Sequence, residues 1–129
     1  MDGQDPLEIA EAEVAAQARA YADALHRADT AALEAIFHPS SHLYASQDGA
    51  LIEWPRAHFL ARVGSRAPLD GATDVQIEAV HVAGPEMAHV TLSVAVPPRR
   101  YTDYLDFLKL DGEWRIIAKI FRVADGPAV

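Results

Sequence analysis

Between residues 7 and 25 the apolar side chains Leu7, Val14, Ala18, Tyr21 and Leu25 recur at steps of three to seven, while Glu8, Glu11, Arg19, Asp23 and Arg27 take the other side. One apolar stripe backed by charge marks an amphipathic helix, and the spacing predicts it over residues 6–28. Asp5-Pro6-Leu7-Glu8 supplies the start: Asp5 can accept from free backbone N–H groups, Pro6 suits the first helical position, and Glu8 completes a capping box. Asp29 or Thr30 caps a second, short helix through Phe37. Pro39 stops it, because the residue before a proline is pushed out of helical conformation. Pro55 opens a third helix with Phe59, Leu60 and Val63 on its apolar side and Gly64 as its stop.

Elsewhere the period drops to two. Residues 42–46 and 50–54 flank Gln47-Asp48-Gly49, a hairpin signal. Beyond a loop at 65–73, alternating runs occupy 74–83, 87–96, 100–110 and 113–123, with Gly84-Pro85 and Asp111-Gly112 at two of the turns. Those four runs read as an antiparallel meander. Residues 1–5 and 124–129 are expected to fray. Helices early and strands late predict one α+β domain over residues 1–129: three N-terminal helices packed on a strongly curved, mainly antiparallel six-stranded sheet. A sheet covered in this way forms a cone with a pocket inside.

Composition narrows the function. A chain of 129 residues, 50% hydrophobic, suits one domain with a real core. Its net charge of -8 argues against nucleic acid or an anionic membrane as a partner. Cysteine is absent, which removes disulfides, thiolate nucleophiles and cysteine-ligated zinc. No apolar run nears the roughly 20 residues of a membrane span, the N-terminus is acidic, and without asparagine there is no glycosylation sequon. A cytoplasmic location is therefore expected. Among the six histidines, His38 and His42 are four apart, but Pro39 breaks the helix that would join them, so no metal is expected. No nucleophile elbow, phosphate loop or dinucleotide fingerprint occurs, and no cofactor is expected.

The run Arg115-Ile116-Ile117-Ala118-Lys119-Ile120-Phe121 holds one of only two lysines. Strict alternation places Arg115, Ile117, Lys119 and Phe121 on one face and Trp114, Ile116, Ala118 and Ile120 on the other. A lysine inside the cone would lose pKa to desolvation and regain it from a carboxylate, which suits it to hold an anionic or carbonyl ligand or to move a proton. Tyr44, Trp54, Tyr104 and Trp114 can furnish a ring-lined pocket with polar tips. His42 or His38, at the cone's mouth, can serve in proton transfer. Arg99 and Arg100 point to opposite sides of a strand and read as solvated charge.

The strings "ADTAALEAIFHPSSHLY", "DGALIEWPRAHFLARV" and "RRYTDYLDFLKLDGEWRIIAKIF" together resemble the NTF2-like superfamily, and within it the SnoaL-like group described as Putative lumazine-binding, over about residues 7–123. The resemblance implies the cone fold. It leaves the activity open, since isomerases, cyclases, dehydratases, hydrolases and binding modules share this scaffold. In ketosteroid-isomerase-like members the last two strands line the cone, and an acid on the penultimate strand helps to bind an oxyanion. By that analogy Asp106 takes the position, with Tyr104 and Leu108 on its face and Lys119 across the cavity. Asp103, in the "TDYL" string, falls opposite Asp106 by strict alternation, yet a β-bulge would reverse that parity, so both stay candidates. The isomerase-type base has no clear match; Glu34, Asp48 and Glu53 are the candidates.

These readings converge on a small-molecule-binding domain whose ligand meets Tyr44, Trp54, Tyr104, Ile117, Lys119 and Phe121. The alternatives are an enzyme working on a carbonyl or polyketide-like compound through Asp103 or Asp106, Lys119 and His42, and a ligand-free interaction module. Both faces of the last strand are apolar, and Val90, Leu92, Val94 and Val96, or their partners, extend the uncovered one. A homodimer through the outer sheet face is expected.

Overall fold

The computed structural model describes residues 5–129; the expected fraying of residues 1–4 lies outside them. Helix α1 (Pro6–Arg27) starts where Asp5 accepts a 3.0 Å hydrogen bond from the Leu7 N–H and ends at Ala28, whose φ of 52° is left-handed. Its buried stripe holds Val14, Ala18, Tyr21 and Leu25, while Leu7 stays 46% exposed. Helix α2 (Thr30–Ile36) is capped by Asp29. It ends one residue earlier than expected, because Phe37 already pairs with Ile116 in strand β1 (Phe37–Gln47). That strand runs through Pro39. A register shift between Phe37 and His42 interrupts the ladder there, so the missing proline N–H costs no bond.

Strand β2 (Ala50–Pro55) leads into α3 (Arg56–Gly64), which begins just after Pro55 rather than at it. The meander follows as β3 (Val75–Ala83), β4 (Met87–Val96), β5 (Arg99–Leu110) and β6 (Glu113–Asp125). The six strands order as β2-β1-β6-β5-β4-β3, antiparallel except for β1 beside β6. Asp48-Gly49 and Asp111-Gly112 both take positive φ at both residues, the geometry a two-residue hairpin demands. All three helices cover one face, and Tyr21, Phe37, Leu43, Leu92, Leu105, Phe107 and Ile116 are fully buried between the layers.

One residue decides which side chains enter that core. In β6, Ile116 pairs with Phe107 and Ala118 with Asp106, so Ile117 is an extra residue, a bulge. Parity reverses across it. Trp114 and Ile116 before the bulge and Lys119 and Phe121 after it are all buried, while Ile120 is 51% exposed. The expected grouping of Lys119 with Ile117 and Arg115 is corrected accordingly. Val90, Leu92, Val94 and Val96 are buried too, so the outer face carries the polar alternates His89, Thr91 and Ser93 of β4 instead. The apolar outer patch is therefore smaller than expected, centred on Tyr104 and Ile120, which pair across β5 and β6.

The C-terminal tail is tied down rather than frayed. Arg99 donates to the carbonyls of Pro127 (2.8 Å) and Ala128 (2.7 Å), and the Val129 N–H donates to Gln47 Oε1 at 3.0 Å.

Phe37 sits where helices and sheet meet, its ring 5.8 Å from that of Tyr21 and 5.1 Å from that of Phe59. Truncating a buried ring removes transfer energy and leaves a cavity. Phe37→Ala should lower the unfolding free energy by about 3–5 kcal/mol in urea titration; a loss under about 1 kcal/mol would mean the layers do not depend on it.

Candidate functional site

Three polar side chains meet inside the apolar core. Tyr21 comes from the buried stripe of α1, Asp103 from β5 opposite Phe121, and Lys119 from β6 opposite Leu105. The Tyr21 hydroxyl donates to Asp103 Oδ2, and Lys119 Nζ donates to Tyr21 Oη at 2.6 Å and lies 3.5 Å from Asp103 Oδ2. Tyr21 and Asp103 are fully buried and Lys119 is 5% exposed. Asp103 Oδ1 has no partner among the described residues. Aromatic rings enclose the ammonium: Phe59 at 4.9 Å, Tyr21 at 5.1 Å and Phe121 at 5.2 Å.

Burial dominates the electrostatics. It pushes the Lys119 pKa below the ordinary 10.5, and the Asp103 carboxylate partly restores it. Burial also raises Tyr21 well above 10.0, and Asp103 adds to the rise by repelling a phenolate and accepting the phenol's proton. Tyr21 is thus a fixed proton donor to Asp103. Lys119 is the member of the trio that reaches open space.

That space is a cavity of about 380 Å³ bounded by α3 and the loop after it, the end of α1, the β4–β5 turn and the inner faces of β5 and β6. Trp54, Phe59, Tyr101 and Phe121 give it aromatic walls, and Arg62, Arg66 and Arg99 join Lys119 as its charged groups. The Trp54 ring lies 5.3 Å from that of Phe121, and the Arg62 guanidinium covers its face at 4.5 Å. Burial raises the Tyr101 pKa, while Arg99 and Arg62 pull it back down.

Of the residues singled out in the sequence, the structure brings together Lys119, Phe121 and Trp54 at the cavity, with Asp103 directly behind Lys119. Asp106 is elsewhere. It lies on the outer face, where its carboxylate meets His89 Nδ1 at 2.7 Å, since strand alternation separates it from Asp103 and the bulge sits in β6, not β5. Tyr104 is 47% exposed on that same face. His42 and Tyr44 stack there as well, with ring centres 6.2 Å apart, because Leu43 between them points into the core. Ile117 occupies the bulge and does not line the cavity. Trp114 is buried and donates to Glu13 at 3.1 Å.

The other candidates find local explanations. Glu34 pairs with Arg56 at 3.9 Å, Asp48 makes its turn, Glu53 is exposed, and His38 accepts from the Ser40 N–H at 3.0 Å. No group of three metal-ligating side chains occurs among the described residues. No helix among them is long and apolar enough to cross a membrane. Sequence reasoning missed Tyr21, Tyr101, Arg62 and Arg66 and read Arg99 as solvated. A hydroxyl-tipped ring on the apolar stripe of α1 was the available sign for Tyr21.

A family model described as Putative lumazine-binding matches residues 10–122. The curated relative "Aldolase FrzH" of Cladobotryum sp is 26% identical over 110 residues, covering 84% of this chain and 86% of its own. An NTF-2 like protein of unknown function from Silicibacter pomeroyi superposes with a TM-score of 0.80 at 28% identity, covering 87% of this chain and 93% of that one. A ketosteroid isomerase-like protein from Erwinia carotovora atroseptica gives 0.70 at 18% identity, with 89% and 96% covered, a likeness of fold alone.

The trio predicts a two-signed pH profile. Folded Lys119 releases its proton below 10.5, so between its lowered value and 10.5 the unfolded chain binds more protons and stability rises with pH. Folded Tyr21 keeps its proton above 10.0, so from there the unfolded chain binds fewer and stability falls. Urea titrations across this range should lose the rise in Lys119→Met and show a shallower fall in Tyr21→Phe, the remainder coming from Tyr101, whose pKa burial also raises; profiles identical to wild type would contradict both assignments.

Proposed function

The chain belongs to the Putative lumazine-binding family, and from that premise we propose that it is a small-molecule-binding domain whose ligand occupies the cavity beside Lys119. The observation that carries this reading is a buried ammonium, braced from behind by Tyr21 and Asp103, that opens onto an aromatic-walled space of about 380 Å³. That volume falls within the roughly 300–1,000 Å³ common for ligand pockets. A flat, largely apolar ligand would lie against Trp54, Phe59 and Phe121. Its carbonyl or enolate oxygen would accept from Lys119 Nζ.

Catalysis on a carbonyl compound is the second reading, favoured by the lowered Lys119 pKa and by the aldolase among the relatives. Lys119 would stabilise negative charge developing on a carbonyl oxygen or, when neutral, accept a proton. Asp103 and Tyr21 would act as positioning residues, since neither lines the cavity. Asp106 and His42 have no part in it, because they sit on the opposite face.

A thermal-shift screen against metabolite extracts tests the first reading: a ligand should raise the melting temperature by mass action, and Lys119→Met should shrink that rise. Fractions that shift neither protein, across extracts of varied source, would count against a ligand site. For any substrate so found, Lys119→Met and Asp103→Asn should lower turnover at least tenfold, about 1.4 kcal/mol. Unchanged kinetics would take both out of the mechanism.

We further propose that two copies associate through the outer sheet face, where Tyr104 and Ile120 oppose each other about half exposed. Two-fold symmetry lets such a patch meet itself. Light scattering at micromolar concentration should give twice the chain mass, and Ile120→Glu should return it to one; a wild-type monomer would end the idea.

A further inference from the structure

The chain carries 19 acidic residues against 11 basic ones, yet the cavity has the opposite balance. Arg62, Arg66, Arg99 and Lys119 line it, and among the described residues no carboxylate does. Lys119 is matched by Asp103 behind it. The three arginines are not matched: among the described residues Arg27, Arg56, Arg100 and Arg115 each form a salt bridge, whereas Arg62, Arg66 and Arg99 form none, as do only the exposed Arg19 and Arg122 besides them. In a protein of net charge -8, chance would place carboxylates near most cations. Three unmatched ones around one opening concentrate positive charge where a low-dielectric wall makes it felt.

Solvation accounts for an exposed arginine, and Arg62 is exposed. It does not account for Arg66. Its Nη2 donates to the Leu25 carbonyl, but its Nη1 is buried and has no partner among the described residues. Leaving a charged donor buried and unpaired is costly, and the cost ends when an acceptor arrives. Arg99 is held by the Pro127 and Ala128 carbonyls through Nε and Nη2, which fixes its guanidinium at the cavity. Tyr101 lines the same cavity as the three guanidinium groups; burial lowers the Arg66 pKa and Tyr101 partly restores it, while Arg99 and Arg62 oppose the rise that burial gives Tyr101. Arginine forks suit the paired oxygens of a carboxylate or phosphate and remain charged at any working pH.

We infer that the cavity takes an anionic ligand, a flat aromatic or alicyclic carbonyl compound bearing an oxyanionic head group that Arg62, Arg66 and Arg99 bind at the mouth while Trp54 and Phe121 cover its ring. The inference rests on the reading of the cavity as a ligand site and adds a substrate class to it. Such a molecule would be held at two ends: head group at the arginines, carbonyl oxygen at Lys119. Carboxylates and phosphate monoesters share the required chemistry.

Matched probes test this. Benzoate, cyclohexanecarboxylate and 2-naphthoate, their primary amides, and 2-naphthyl phosphate are titrated at fixed ionic strength by ligand-observed NMR. The intact chain is compared with Arg66→Gln, Arg62→Gln and, as a control for lost charge alone, the exposed Arg19→Gln. At least one acid should bind ten times or more tightly than its amide. That ratio should fall towards one in Arg66→Gln and Arg62→Gln and persist in Arg19→Gln. Tighter binding of 2-naphthyl phosphate than of 2-naphthoate would identify the head group as phosphate, and the reverse as carboxylate. Acids and amides binding equally would overturn the anionic assignment and leave the ligand site standing, whereas no probe binding at all would overturn both. If Arg66→Gln does not fold, the exposed Arg62 decides: a preference for acids unchanged in Arg62→Gln overturns the assignment.

Discussion

A lysine ammonium can be carried into an apolar core only with something to answer its charge, and here Asp103 and Tyr21 answer it. Isolated, each ion would face a desolvation cost of several kcal/mol. Together they fix how three elements meet. The Tyr21 hydroxyl ties α1 to β5, and the Lys119 ammonium ties β6 to α1, so the first helix is clamped across two neighbouring strands by a set of bonds that work only when all three are in place. The aromatic rings around Nζ add ring-quadrupole attraction at distances near 5 Å and exclude water from the trio.

That arrangement depends on a defect in a strand. Were Ile117 held in regular alternation with no bulge, the buried Trp114 and Ile116 would sit on the face opposite Lys119 and Phe121. Either the two large apolar residues or the lysine and phenylalanine would then face outward. The bulge admits both pairs. It also bends β6 where β1 joins it in parallel, with Phe37 beside Ile116 and His42 beside Ala118. The bulge thus lets one strand serve the core at its start and the cavity near its end.

Local signals in the chain disclosed most of the architecture. Both Asp-Gly turns, the Asp5 and Asp29 caps and the period-two runs of the meander are short-range features, and the strand 87–96 coincides with β4 as found. Long-range features were not legible. The extension of β1 back through Pro39 exists because β6 pairs with Phe37, which no local pattern announces. The choice between Asp103 and Asp106 turned on parity, and the bulge in β6 is invisible to hydrophobic alternation when both of its flanks are apolar. Tyr21 looked like one more member of the apolar stripe of α1; only a buried partner for its phenol sets it apart. Arg99 lies far along the chain from Arg62 and Arg66, and the three become a group only when α3, the loop after it and the β4–β5 turn close round one opening.

Stability alone does not explain what surrounds that opening. A buried ion pair is often matched or bettered by apolar side chains of like volume, and a fold selected only to persist has little use for Asp103 Oδ1 and Arg66 Nη1, both buried and both without partners. Most of the core obeys the ordinary rules: Leu43, Leu92, Leu105 and Phe107 fill it without polar atoms. Ser41 Oγ, on β1, is a third buried polar atom without a partner among the described residues; the other two lie beside or just behind one cavity, where the cations outnumber the anions in a chain of the opposite sign. Two such departures at one opening, one a donor and one an acceptor, favour reading it as a binding site. The unpaired guanidinium donors ask for an oxyanion. The braced ammonium asks for a carbonyl or enolate oxygen, and the rings between them ask for a flat apolar body.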